Sequence, residues 1–208
     1  VLQKQRARVV ILSAFVFEHV RLLLLSKGNG KRFKKGLANS SGLVGICFFG
    51  HGDMRVYGLF DDFIINGFIG SGAAAMRIDD FNGNNFDHNG LGFIRGGTVG
   101  CSGDGAPVSR MDIVPPGTRS WGKDFKDYFM RYYTRTFDVH MAPETLPRRD
   151  NCVDLDPRRR DRWDLPLPRV TFAFHENEKR MHLFLADIGE RILREAGASK
   201  VWTEVPRP

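Results

Sequence analysis

One amphipathic pattern near the C-terminal end constrains the fold most strongly. Between residues 177 and 196, apolar side chains recur every three or four positions, which predicts a helix with one buried face. Gly197 follows as a C-terminal breaker, while Asn177 is the predicted N-cap, with Glu178 in the first turn. Such a face must pack against another layer of structure. The apolar stripe comprises Met181, Phe184, Leu185, Ile188, Ile192 and Leu193.

Strand-like segments elsewhere are the candidate partners of that helix. Their β-branched residues or their alternation of apolar and polar positions are typical of strands in a sheet. Two further segments have helical character: residues 17–26, and residues 121–136, where aromatic residues recur every three or four positions and predict a core-facing stripe. The sequence therefore predicts a mixture of helices and sheet. The predicted strands are residues 8–14, 54–60, 92–95 and 169–174, and residues 115–118 form a predicted turn.

Composition supports a folded domain and excludes several classes of protein. The chain has 208 residues, of which 42% are hydrophobic and 26% charged, so it can bury a core without disulfides or metals. The net charge of +7 allows moderate attraction to anions but is not the dense basic stripe of a dedicated nucleic-acid-binding protein, and no segment is apolar enough to span a membrane. Three widely spaced cysteines, Cys47, Cys101 and Cys152, are predicted to be core thiols.

Two charged segments are predicted to be solvated loops. Residues 27–35 carry five basic side chains among glycines but lack the spacing of a phosphate-binding loop. Residues 150–168 alternate arginines with aspartates, which favours a self-paired loop over an RNA-binding patch.

No complete catalytic or metal-binding motif is present. Asp79–Asp87 is rich in oxygen ligands but lacks the glycine and glutamate of an EF-hand loop, so a turn stabilised by Asn and Asp side chains is favoured. The histidines His51, His88, His140, His175 and His182 show no HExxH spacing. His88, beside Asp87, is a possible acid or base, although a structural role is favoured. We therefore predict neither catalytic residues nor a metal site within this chain.

The order of the segments is more informative than any single one. The segments RVVILSAFVFEHVRLLLLS, LANSSGLVG, VYGLFDD and IDDFNGNNFDHNGLGFIRGG are followed by the long segment from LDPRRRDRW to REAGA. As an ordered set over about residues 8–202, they resemble flavoproteins of the glucose-methanol-choline oxidoreductase family. The nearest branch contains the large subunit of gluconate 2-dehydrogenase.

This resemblance implies an FAD-dependent enzyme that removes a hydride from the CH–OH group of an alcohol, a sugar or a sugar acid. Residues 1–45 would be a strand–helix remnant of a Rossmann-like FAD domain, in which Ser13 and Ala14 contact the adenosine half of the cofactor. Residues 46–208 would be part of an α+β substrate domain, an antiparallel sheet with covering helices. The branch further implies a small subunit and a cytochrome as partners, and a periplasmic or membrane-associated location.

The chain departs from the family pattern at several positions. Relatives usually have Gly-Ala where this chain has Ala14 and Phe15, Arg-Asn where it has Ile46 and Cys47, and glycine at Asp164. The glycine-rich FAD loop and the segment with the catalytic histidine are absent from these residues. We therefore expect a catalytically inactive internal fragment. The alternative is a degenerate interaction module that binds a protein or a polyanion through residues 27–35 and 158–162.

Overall fold

A computed structural model describes residues 3–28, 33–65, 75–102 and 113–203. The chain divides into two compact units: Val1–Phe49 with Leu146–Ala173, and Gly50–Thr145 with Phe174–Pro208. The helices are α1 (Val16–Leu25), α2 (Gly122–Tyr132, continued by a 3₁₀ turn at Tyr133–Arg135) and α3 (Glu176–Glu195). The strands are β1 (Met54–Leu59), β2 (Ala75–Ile78), β3 (Gly97–Ser102), β4 (Thr136–Pro143), β5 (Cys152–Arg160), β6 (Pro166–Thr171) and β7 (Lys200–Thr203).

The second unit is built on a five-stranded sheet with the order β2-β3-β4-β1-β7. Every neighbouring pair of strands is antiparallel. The strand predicted over residues 54–60 is confirmed as β1. The sheet and its helices confirm the predicted α+β class, whereas the Rossmann-like remnant stays a prediction.

Helix α3 covers one face of this sheet, as its stripe predicts. Met181, Leu185 and Leu193 are buried in one core cluster with Val56 and Met141 of the sheet. Close packing depends on the glycine at position 189, because a Cβ there would lie 3.0 Å from a methyl group of Val56. The helix is followed by Gly197, with a φ of +93°, as predicted for a C-terminal breaker.

The start of α3 differs from the prediction. His175, not Asn177, is the N-cap, and the Glu178 carboxylate accepts a hydrogen bond from the His175 backbone N–H at 3.0 Å. The Asn177 side chain instead accepts a hydrogen bond from the Ile94 N–H at 2.9 Å and donates one to the Ile94 carbonyl at 3.3 Å. The strand predicted over residues 92–95 is therefore wrong, because this side chain and the left-handed backbone of Arg95 (φ 70°) replace strand pairing there.

Aromatic side chains pack on the other face of the sheet. Tyr57 and Trp202 stack with their ring centres 5.6 Å apart, and Tyr132, at the end of α2, packs against them. The helix predicted over residues 121–136 is confirmed in its main part. Its aromatic stripe is half-buried, and Trp121, just before the helix, is exposed.

In the first unit, α1 packs against the antiparallel hairpin of β5 and β6. The Arg21 side chain attaches the helix to this hairpin: it donates to the Asp161 carboxylate at 2.5 Å and to the Pro166 carbonyl at 2.8 Å. The loop predicted over residues 150–168 is therefore wrong, although its self-pairing is confirmed by an ion pair between Arg160 and Asp164. The segment resembles a loop because β5 contains a register shift between Leu155 and Arg160.

The strand predicted over residues 8–14 is also wrong. This segment has no strand structure, and the side chains of Val9, Val10 and Ile11 are more than 70% exposed. A strand requires a partner for its backbone hydrogen bonds, and no described residue pairs with this segment. The helix predicted after it is confirmed as α1. None of the helices in the described ranges is long and apolar enough to cross a membrane.

Candidate functional site

The predicted cofactor contacts, Ser13 and Ala14, lie in the exposed segment just before α1. The Ala14 N–H donates a hydrogen bond to His19 Nε2 at 2.7 Å, which folds the segment back onto the first turn of the helix. Phe15 is the N-cap residue, and its backbone (φ 68°, ψ 153°) lies in a region that is nearly restricted to glycine. The role of Ser13 and Ala14 in binding a cofactor stays a prediction.

A cleft opens beside the first turns of α1, and we call it the α1 cleft. Its volume is about 350 Å³, within the range of small-molecule pockets. The walls are mostly apolar, and the N-terminus of α1 carries no side-chain cap, so its first backbone N–H groups are not satisfied by a capping side chain. The cleft is lined by Val16, Val20, Gly45, Ile46, Cys47, Phe48, Phe49 and Val153.

Gly45 shapes the floor of the α1 cleft. Its φ is +80°, and a Cβ at this position would lie only 2.0 Å from the carbonyl oxygen of Val153. The Val153 N–H donates to the Gly45 carbonyl at 2.7 Å, so the turn and strand β5 are held together at this point. Only glycine allows this approach of the two backbones.

The three cysteines are free thiols, as predicted, but they are half-buried, so their predicted place in the core is wrong. Each lies where a strand or turn meets the surface: Cys47 in the turn after Gly45, Cys101 near the end of β3, and Cys152 at the start of β5. Cys47 has a φ of +61°, in the left-handed region that non-glycine residues adopt only rarely.

The histidines take mainly structural positions. His88 bonds through Nε2 to the Arg95 carbonyl at 2.7 Å and lies against the ring of Phe86. His175 caps α3, His182 packs edge-on against Phe174, and His51 is exposed. Burial lowers the pKa of His182.

The Asp79–Asp87 segment forms turns of the predicted kind. The Asn85 side chain donates to the Asp79 carbonyl at 2.8 Å, and the Asn89 N–H donates to the Asp87 carboxylate at 2.9 Å. Within the described ranges, no group of three or more histidine, cysteine, aspartate or glutamate side chains is placed to hold a metal ion.

The two basic segments differ in how much of them the structure describes. Residues 29–32 of the first segment lie outside the described ranges. In the other segment, Arg160 pairs with Asp164 at 3.6 Å, and Arg162 lies over the Trp163 ring at 4.0 Å. These contacts match the predicted self-pairing.

Sequence reasoning missed a polar cluster on the sheet face opposite α3. It contains His140, Arg55 and Arg77. The buried carboxylate of Asp138 on β4 pairs with Arg55 of the neighbouring strand β1. Burial, together with the nearby charge of Arg77, lowers the pKa of His140. These residues are far apart in the chain and come together only through the strand register. No local motif could have predicted the cluster.

Comparison with known proteins gives two relatives. One is the gluconate 2-dehydrogenase flavoprotein of Pantoea cypripedii, 37% identical over 185 residues, which cover 87% of this chain and 29% of the relative. The other is the 2-methyl-1,2-propanediol dehydrogenase of Mycolicibacterium austroafricanum, 31% identical over 194 residues, which cover 92% of this chain and 34% of the relative. The chain thus spans about a third of the length of the curated relatives it matches.

The chain is therefore related to dehydrogenases, one of which is a flavoprotein. No protein-family model matches the chain.

Proposed function

We propose that the protein is part of an FAD-dependent oxidoreductase of the glucose-methanol-choline type, acting on the CH–OH group of an alcohol, a sugar or a sugar acid. The observation that carries this proposal is the 37% identity to a gluconate 2-dehydrogenase flavoprotein along 87% of the chain. The bound flavin would supply the electron acceptor for the oxidation.

The α1 cleft suits one part of such a cofactor. Its mostly apolar lining, which includes Val16, Val20 and Cys47, can bury an adenine or ribose face. The uncapped N-terminus of α1 favours negative charge nearby, as a phosphate group would provide. Ser13 and Ala14 lie three and two residues before Val16, so the predicted contacts and the cleft are close together along the chain. At about 350 Å³, the cleft would hold the adenosine half of FAD rather than the whole molecule.

The five-stranded sheet of the second unit would carry the substrate-binding surface. Its face opposite α3 presents charged and hydrogen-bonding side chains that can orient a polyhydroxy compound. A small subunit, a cytochrome acceptor and a periplasmic or membrane-associated location belong to the same proposal. They rest on the resemblance to the gluconate 2-dehydrogenase branch.

Cofactor binding can be tested with a matched pair of variants on α1. Val16 and Leu22 are almost equally exposed, at 45% and 44%, but only Val16 lines the cleft. Val16→Asp places a carboxylate in the cleft, where it repels phosphate groups and adds charge to an apolar wall. Leu22→Asp adds the same charge to the same helix away from the cleft.

The measurement is an equilibrium titration of FAD with the full chain, followed by flavin fluorescence, with ADP as competitor. We expect saturable binding, competition by ADP, a dissociation constant raised at least about tenfold in Val16→Asp, and little change in Leu22→Asp. Circular dichroism establishes that both variants are folded. Absence of saturable FAD binding, or an equal effect of the two substitutions, would contradict the assignment of the cleft.

A further inference from the structure

Four neighbouring strands bring a row of residues together on the sheet face opposite α3. Arg55 of β1 is the cross-strand partner of His140 on β4, His140 is the partner of Gly100 on β3, and Gly100 is the partner of Arg77 on β2. Directly opposite residues in a sheet point to the same face, so the three side chains share one surface. The row spans three strand spacings, or about 14 Å. We call Arg55, His140, Gly100 and Arg77 the cationic row.

Gly100 has no side chain, and this leaves space within the cationic row for the side chain of Arg77. A Cβ at Gly100 would lie 2.5 Å from the Arg77 guanidinium and 2.6 Å from the Arg77 Cδ. The Arg77 side chain therefore lies across β3, in the space that any other residue at position 100 would fill. This path brings the guanidinium into contact with Nε2 of His140.

The contact favours one protonation state of His140. A guanidinium can only donate hydrogen bonds, so the contact favours a neutral ring with Nε2 as the acceptor and the proton on Nδ1. Burial and the charge of Arg77 both lower the pKa of His140, which favours the same state. The acidic groups that oppose this shift are Asp138 on β4 and the exposed Asp53 just before β1.

The two arginines differ in their partners. Arg55 pairs with Asp138 at 3.2 Å, and that carboxylate is buried. Arg77 is exposed and forms an ion pair with no carboxylate of the described residues. Among the described residues, the row thus holds one guanidinium that is paired with a carboxylate and one that is not, with the imidazole of His140 between them.

We propose that the cationic row binds the carboxylate of a sugar acid through Arg77, with His140 and Arg55 as flanking donors. This inference rests on the proposed function and narrows its substrate class. A guanidinium matches a carboxylate in geometry as well as charge, because it donates two parallel hydrogen bonds. Nδ1–H of His140 and the exposed third of the Arg55 side chain are donors for the hydroxyl groups of the same molecule.

A neutral alcohol or diol fits the row less well. With such a ligand bound, no negative charge would balance the Arg77 guanidinium, because the neutral imidazole of His140 can accept a hydrogen bond but carries no charge. An anionic ligand compensates that charge and so raises the pKa of His140 on binding. The state of His140 is therefore a reporter of the charge of the ligand.

The experiment is an NMR titration of the histidine ring signals of the full chain, with gluconate, glucose and sulfate added separately. The variant His140→Gln identifies the His140 signal among the six histidines. We expect gluconate to shift this signal saturably and to raise the pKa of His140, while glucose does neither. Because the readout needs neither flavin nor turnover, its result is independent of whether the chain binds FAD.

Matched charge variants test the role of Arg77. Arg77→Gln removes the proposed ligand, while Arg191→Gln removes one positive charge from the exposed surface of α3. We expect Arg77→Gln to raise the dissociation constant of gluconate at least about tenfold and Arg191→Gln to leave it nearly unchanged. Arg77→Lys, which keeps the charge but loses the planar fork, should give an intermediate value.

Three results would overturn the proposal. The first is the absence of a saturable gluconate effect on His140, and the second is an equal loss of affinity in Arg77→Gln and Arg191→Gln. The third is equal binding of gluconate and sulfate, which would make the row a general oxyanion site. Failure of FAD binding alone would count against the proposed function and leave the assignment of this row standing.

Discussion

Gly45 is the position in the first unit at which one added methyl group should do most damage. A Cβ there would lie 2.0 Å from the Val153 carbonyl oxygen and 2.9 Å from a methyl group of Val20. The φ of +80° costs an alanine about 1–2 kcal/mol, and forcing the neighbours apart costs about 1–3 kcal/mol more. Gly45→Ala should therefore lower the free energy of unfolding by about 2–5 kcal/mol.

Gly42 provides the control, because it shares the left-handed backbone without the contact. Its φ is +72°, and the nearest atom to an added Cβ is the Lys35 Nζ at 3.9 Å. Gly42→Ala should cost only the backbone part, about 1–2 kcal/mol. Urea unfolding followed by circular dichroism gives both values, and amide exchange at Val153 should accelerate only in Gly45→Ala. Equal losses in the two variants would refute the argument from close contact.

Three further predictions concern stability. Leu185→Ala should lower the free energy of unfolding, measured by urea unfolding, by about 2–5 kcal/mol, because Leu185 is fully buried. In the same assay Met130→Ala, on the exposed side of α2, should change the free energy of unfolding by less than about 0.5 kcal/mol. The hydrogen bond from Arg21 lowers the pKa of Asp161 in the folded protein. This hydrogen bond therefore stabilises the fold fully above about pH 3.9, the pKa of an unfolded aspartate, and the stabilisation is lost as the pH falls through the lower folded pKa. Acid unfolding of Asp161→Asn should show a shallower pH dependence over this range. Asp164→Gly should raise the thermal midpoint, since Asp164 has a φ of 60°, and a lower midpoint would contradict this.

The helices were the most predictable part of the fold. Their apolar spacing is a local property, and the stripe of α3 identified the residues that pack on the sheet, including Met181 and Leu185. The predicted N-cap of α3 was wrong. Asn177 is a good capping residue, but its side chain binds the backbone of Ile94, 83 positions away, so a long-range contact replaced the local one.

The strands were less predictable because each depends on a partner. The β-branched run at residues 8–14 has strong strand propensity, yet no described residue pairs with it. The charged segment at residues 150–168 has the composition of a loop, yet it forms a hairpin. Its loop-like residues occupy the register shift, where the Asp156 carboxylate accepts hydrogen bonds from the N–H groups of Arg158 and Arg159 at 2.8 and 2.9 Å.

The cationic row shows why a binding surface on an antiparallel sheet escapes local motif searches. Its members come from four strands, and their alignment depends on the register of three separate strand pairs. A shift of one residue in β4 would move His140 to the face covered by α3 and bring an apolar neighbour to the open face. The packing of Val139 and Met141 beneath α3 prevents that shift, because both are buried in the core. The hydrophobic core on one face of the sheet therefore determines the position of the charged groups on the other.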